Sequence, residues 1–168
     1  FIKYGFCSEN TVVVSPDVGG VKRARSLAKW LHTPLAIIDK RRAKANVSEV
    51  MNIIGDVEGK RAILIDDMID TAGTICNAAL ALKEKGATEV YGCATHAVFS
   101  GSAVERLKES VFSEVVVTDT IELPEDKLFD KLRILSTSKM FAETIKRVVT
   151  REAISDLFEM PMEDRDEN

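Results

Sequence analysis

No stretch of these 168 residues approaches the ~20 consecutive apolar positions that a membrane-spanning helix needs, so such a helix is excluded. No positively charged, then apolar leader opens the chain either, and cytoplasm is the default expectation. Cysteine is scarce. Cys7, Cys76 and Cys93 are odd in number and lack paired spacing, which argues against a disulfide framework or a zinc site. They are expected to behave as small buried hydrophobes. Positive charge is not in surplus: 23 Lys and Arg against 27 Asp and Glu leave a net charge of −4. A nucleic-acid partner held by a general basic field is therefore not expected. One local cluster, Lys40, Arg41, Arg42 and Lys44, concentrates enough basic charge to hold phosphates.

What is present fits one ordinary globular domain. Hydrophobic residues at 45% and charged residues at 30% match globular usage, neither disordered nor membrane-like. A chain of this length hides roughly two thirds of its unfolded surface, so no structural metal is required. It begins abruptly at Phe1 with a strand close behind, which reads as a fragment. The domain is placed over 1–158, and 159–168, with five acidic residues and one basic, is expected to be a disordered tail.

Strands and helices alternate along the chain. Thr11 to Ser15 is a β-branched run ending before Pro16, which predicts a buried strand. Val21 to Leu31 carries apolar residues at helical spacing, and Thr33-Pro34 ends it. Leu35 to Ile38 predicts a second strand, the basic segment a mobile loop, and 47–54 an edge strand. Arg61 to Ile65 is the most apolar strand and runs into a polar loop from Asp66 to Thr74. A helix from Ile75 to Lys85 follows, capped by Gly86. Strands over 89–94, 114–118 and 132–135 and helices over 101–110 and 139–150 complete the pattern. Such alternation implies an α/β fold, a mainly parallel twisted sheet flanked by helices, with ligands at the carboxyl ends of the strands.

The loop from Asp66 to Thr74 is the strongest chemical signal, with three carboxylates and two threonine hydroxyls around a glycine where strand turns into helix. Backbone N–H groups of Ala72, Gly73 and Thr74 stand at the helix start, where unpaired donors and the positive dipole end bind phosphate. Thr71 and Thr74 add hydroxyl donors. Asp66 and Asp67 accept only, and suit two adjacent sugar hydroxyls or a magnesium ion. Phosphate donors at one end and diol acceptors at the other suit a pentose phosphate. The bland alternative is a cluster of helix caps, but capping uses one such residue, not five.

An apolar strand, then Asp-Asp, two residues, and Asp70-Thr71-Ala72-Gly73-Thr74 resembles the motif shared by type I phosphoribosyltransferases and ribose-phosphate pyrophosphokinases. Asp17-Val18-Gly19-Gly20, the stretch Lys40-Arg41-Arg42 with Asn46, Glu49 and Val50, and Thr95 to Gly101 are similar to further segments of the pyrophosphokinases. With matches in order from about Val12 to Val149, the chain is identified as a member of that family, corresponding to its carboxyl-terminal half.

The resemblance implies a phosphoribosyltransferase-like fold and transfer of the diphosphoryl group of ATP to ribose 5-phosphate. It implies that Asp66 and Asp67 hold the ribose hydroxyls and that Asp70, Thr71, Ala72, Gly73 and Thr74 bind the 5-phosphate. Asp17 would coordinate Mg2+, Gly19 and Gly20 would face the pyrophosphoryl group, and Lys40 and Arg42 would close over ATP as catalytic cations. Diphosphoryl transfer depends mainly on positioning and cations, so little base catalysis is expected. The amino-terminal half, lying outside this chain, would complete the ATP site, and the family assembles as homohexamers. Ala153 and Asp156 depart from the Ser and Tyr usual at its regulatory site. The alternatives are a phosphoribosyltransferase, for which no base-covering segment is seen, and a non-catalytic regulatory subunit. His96, ending a strand, is expected to be structural, and His32 a partner for a helix dipole.

Overall fold

The computed structural model describes residues 5–6, 9–41 and 50–157. The chain divides into two compact units, the first running through Leu135 and the second from Ser136 onward.

In the first unit, the β-branched run Thr11–Ser15 forms β1, buried at every position. Helix α1 spans Val21–Leu31 and buries Ala24, Ala28 and Leu31, one stripe of its surface. It closes in a Schellman arrangement, with Thr33 N–H donating to the Ala28 carbonyl at 3.0 Å and His32 N–H to Lys29 at 3.3 Å. His32 takes the left-handed position, φ 52°, that glycine usually fills. The remaining elements are β2 (Leu35–Arg41), β3 (Val50–Ile54), β4 (Arg61–Ile69), α2 (Gly73–Glu84), β5 (Glu89–Ala97), α3 (Ala103–Glu109), β6 (Glu114–Thr118) and β7 (Leu132–Leu135). Past α2, Gly86 adopts φ 89°, as its place at a helix end predicts.

Among the described residues the strands form one seven-stranded sheet in the order β3-β2-β1-β4-β5-β6-β7. Neighbours are parallel except β2 and β3, so the mainly parallel sheet expected from the alternation is present with an antiparallel edge. Successive strand residues feed opposite faces. Val12, Val14, Leu64 and Val115 pack with α2 and α3 through Ala78, Leu82 and Leu107, whereas Val13 and Ile63 pack with Ala24, Ala28 and Leu31 of α1.

Three strands outrun their predicted ends. β4 was expected to stop at Ile65 and β5 at Ala94, yet they continue together, pairing Asp66 with Ala94, Met68 with His96 and Ile69 with Ala97. Asp66 and Asp67 thus lie on a strand, not in a loop. β1 pairs with β4 only as far as Val14 and Leu64, so the β4–β5 ribbon projects past β1. β2 likewise extends to Arg41 because β3 pairs with it, Lys40 opposite Met51 and Arg41 opposite Val50. Of the expected mobile loop, 42–49 lies outside the described residues.

The chain order reverses between β1 and β4: β2 lies on one side of β1 and β4 on the other. A crevice opens at the strands' carboxyl ends where such a sheet switches direction. The 16–20 segment after β1 and the 70–74 segment after β4 both leave the sheet there.

The second unit holds α4, Ser138–Thr150, with Arg151 at φ 60° as its left-handed cap. Within it, Arg147 donates through Nε to Glu143 at 3.1 Å and through Nη1 to the Ala153 carbonyl at 2.8 Å.

Candidate functional site

The segment after β1 curls on itself. Buried Ser15 donates from Oγ to the Asp17 carbonyl at 2.7 Å, and Gly20 N–H donates to Asp17 Oδ1 at 2.8 Å. A Cβ on Gly20 would stand 2.9 Å from Ser15 Oγ, so the turn admits only glycine without displacement. Asp17 and Gly19 remain exposed. Hard carboxylate oxygens fit Mg2+, which is commonly held by one or two carboxylates and substrate phosphates rather than an all-protein cage. Among the described residues there is no cluster of three or more His, Cys, Asp or Glu able to hold a metal.

Asp66 and Asp67 lie near the start of the projecting part of β4, under the reach of one cation. Arg23, in the first turn of α1, places Nη1 3.4 Å from Asp66 Oδ1 and Nη2 3.3 Å from Asp67 Oδ2. Asp67 N–H donates to Asp66 Oδ1 at 2.9 Å, and Met68 N–H to Asp67 Oδ1 at 2.9 Å. Burial pushes the Asp66 carboxyl above the ordinary carboxylate range. Asp67, exposed, is held below it by its hydrogen bond to the Asp66 carboxyl and, less strongly, by Arg23.

The turn from Asp70 to Thr74 shows how the segment departs from ordinary capping. Its N-cap residue is Ala72, in the left-handed region at φ 61°, and no side chain caps the helix. Asp70, Thr71 and Thr74, exposed, are not spent as caps. A non-glycine residue at positive φ costs ~1–2 kcal/mol and persists only where surroundings enforce it. Here they do: Ile69 O accepts N–H groups of Val98 at 3.1 Å and Phe99 at 3.0 Å, and Asp70 O accepts from Ser100 at 3.0 Å. Arg106 of α3 donates from Nη1 to the Thr71 carbonyl at 2.7 Å. The first N–H groups of α2 have no intrahelical acceptor, so they and the dipole face outward with no side chain capping them.

The structure therefore gathers Asp17, Gly20, Arg23, Asp66 and Asp67 at the switch point, with the 70–74 turn continuing directly from β4. Lys40 stands in β2, its side chain outside the described residues, and Arg42 lies outside them altogether. His96, expected to be structural, has Nδ1 2.9 Å from Thr120 Oγ1, which in turn donates to the Thr95 carbonyl at 3.1 Å. Arg23 and Arg106 were missed. Arg23 carried a signal, a cation in the first turn of a helix where the dipole disfavours it. Arg106 carried none.

Comparison with known proteins gives the site its context. Residues 41–159 match the model of the family described as the phosphoribosyl synthetase-associated domain. The chain is 60% identical over 158 residues to a ribose-phosphate pyrophosphokinase of Fusobacterium nucleatum, covering 94% of this chain and 50% of that protein. It is 61% identical over 150 residues to one of Caldanaerobacter subterraneus, covering 89% and 48%. The chain thus spans about half the length of the curated relatives it matches. Phosphoribosylpyrophosphate synthetase from Mycobacterium smegmatis superimposes with a TM-score of 0.81 at 44% identity, over 89% of this chain and 48% of that one. An adenine phosphoribosyltransferase, 17% identical with a TM-score of 0.52 over 66% of this chain and 71% of its own, shares the fold alone. Fold and family model agree, and the chain belongs to the phosphoribosyl synthetase-associated domain family.

Proposed function

We propose that this chain is the ribose 5-phosphate and pyrophosphate half of a ribose-phosphate pyrophosphokinase, which moves the diphosphoryl group of ATP onto the 1-hydroxyl of ribose 5-phosphate. AMP and phosphoribosyl pyrophosphate are the products. The single observation that carries this reading is the strand-to-helix segment from Asp66 to Thr74. It presents two carboxylates at one end and a helix start with no side-chain cap at the other. A pentose phosphate has a diol and a phosphate at matching ends. The names of the relatives support the choice of reaction.

In this reading Asp66 and Asp67 accept hydrogen bonds from the ribose hydroxyls. Asp70, Thr71, Ala72, Gly73 and Thr74 receive the 5-phosphate through backbone and hydroxyl donors. Asp17, with Gly19 and Gly20, faces the diphosphoryl group, and Asp17 holds Mg2+, which neutralises phosphate charge when bound. Lys40 and Arg42 supply positive charge to the group in transfer. The adenine end of ATP requires the other half of the relatives' length, and the whole enzyme is read as a cytoplasmic homo-oligomer, hexameric by the family resemblance.

Phosphorus NMR tests the reaction. This chain, mixed with the missing half supplied from a close relative, is expected to convert ATP and ribose 5-phosphate in magnesium to AMP and phosphoribosyl pyrophosphate. Folded halves that give no product would overturn the reading, and consumption of added phosphoribosyl pyrophosphate with a purine base would replace it with a phosphoribosyltransferase.

A further inference from the structure

We propose that Arg23 is a positioning residue for ribose binding, fixing Asp66 and Asp67 as a convergent pair of acceptors. The inference rests on the reading of these two carboxylates as the diol site and adds a residue to it.

Adjacent residues on a strand point to opposite faces, so neighbouring carboxylates ordinarily diverge. Asp66 and Asp67 occupy consecutive positions of β4, yet the two terminal nitrogens of one guanidinium meet one oxygen of each, at 3.4 and 3.3 Å. The topology makes this possible. Pairing of β1 with β4 ends at Val14 and Leu64, so the β4 edge that carries Asp66 is without that neighbour. The chain leaving β1 turns through Asp17–Gly20 and enters α1, whose third residue is Arg23. Its fork thus comes to β4 just past the last β1 pairing.

Position within α1 sharpens the point. A cation in the first turn faces the positive end of the helix dipole, and no acidic residue stands in that turn to offset it. Local preference is broken, and the gain lies across the crevice in the two carboxylates. Guanidinium geometry suits this role, because its planar fork presents separate donors at fixed spacing, which an ammonium does not. Arg23 also lies beside the preceding turn: Nη1 is 3.7 Å from where a Cβ of Gly20 would stand. One side chain thereby links the Asp17–Gly20 turn to the diol acceptors. When both carboxylates are ionised, like charges at adjacent positions repel. With Arg23 between them they face one ligand together.

The test compares two probes by calorimetry. Ribose 5-phosphate engages both ends of the site, whereas inorganic phosphate has no diol to engage Asp66 and Asp67. Arg23→Gln is expected to weaken ribose 5-phosphate at least tenfold while phosphate affinity stays within twofold, and Arg23→Lys is expected to recover part of the loss. Equal weakening of both probes would mean a merely structural role and overturn the proposal, as would unchanged ribose 5-phosphate affinity. A crystal structure of Arg23→Gln supplies a readout free of ligand: the Asp66 and Asp67 carboxylates should diverge, and carboxylates left in place would also overturn it. A parent chain that binds ribose 5-phosphate no better than phosphate would instead count against the proposed function, and the crystal structure would then decide on Arg23 by itself.

Discussion

Phe112 lies against the backbone of Gly92 in β5 so closely that a Cβ there would stand 3.2 Å from its Cε1 and 3.3 Å from its Cζ. Gly92 is buried, and Phe112 belongs to the core on the α2 and α3 face. The glycine leaves the ring its place, in the middle of the sheet. Gly92→Ala is therefore expected to overpack this face and destabilise by about 1–3 kcal/mol. Urea unfolding should show a lowered midpoint with unchanged slope. Phe112→Leu introduced alongside should recover part of the loss, and two changes that merely add would contradict the contact.

The two carboxylates of the pair should pull stability in opposite directions with pH. Burial raises Asp66 above the unfolded value, so the folded state binds its proton more readily than the unfolded one. Stability from this group falls as pH rises from the unfolded carboxylate value through the raised one. Asp66→Asn is expected to be more stable than the parent at pH 7, with the advantage shrinking as pH falls through the raised value. Asp67 is lowered, by its hydrogen bond to Asp66 first, so its contribution is present above the unfolded value and lost as pH falls. Asp67→Asn should be no more stable than the parent at pH 7. Urea titrations at several pH values check both, and the same trend in the two variants would contradict the assignment.

The cysteines of the first unit that the structure describes should resist thiol reagents. Burial pushes the Cys93 thiol up to about 11, which leaves about one thiolate in ten thousand at pH 7. Cys76 is raised by burial too, and its Sγ lies 3.7 Å from the Arg106 carbonyl. Iodoacetamide at pH 7, followed by peptide mass spectrometry, should label Cys93 only after denaturant is added. Labelling of Cys93 within minutes in the native protein would show that its surroundings are open.

Much of the architecture is legible in local pattern. Thr11–Ser15, Val21–Leu31, Glu114–Thr118 and Leu132–Leu135 form the elements that β-branching and helical spacing predict, with the same bounds. The sequence reading falls short where partners far along the chain decide. Asp66 to Ile69 looks like a polar loop, but β5 supplies a strand edge to pair with and extends it. Lys40 and Arg41 look like the start of a loop for the same reason, until β3 is placed beside them. The candidate site divides in the same way. Its carboxylates, glycines and threonines are visible as a dense motif. The left-handed turn at Ala72 is not, because alanine gives no warning of positive φ and the hydrogen bonds that hold it come from Val98, Phe99 and Ser100. Arg23 meets its partner 43 positions away, beyond any local pattern.

The stitching of Ile69 and Asp70 to the segment after β5 bears on how a ligand would be received. Backbone N–H groups of Val98, Phe99 and Ser100 anchor the start of the turn, and Arg106 anchors its middle at Thr71. Its shape is thus set during folding, when strands β4 and β5 pair. In the proposed reading, an arriving phosphate would meet donors already arrayed, and little of its binding free energy would be lost to ordering the chain. Such a surface would favour speed and selectivity by shape: an anion that fits would bind without delay, and one of the wrong outline would gain nothing from adjustment of the loop.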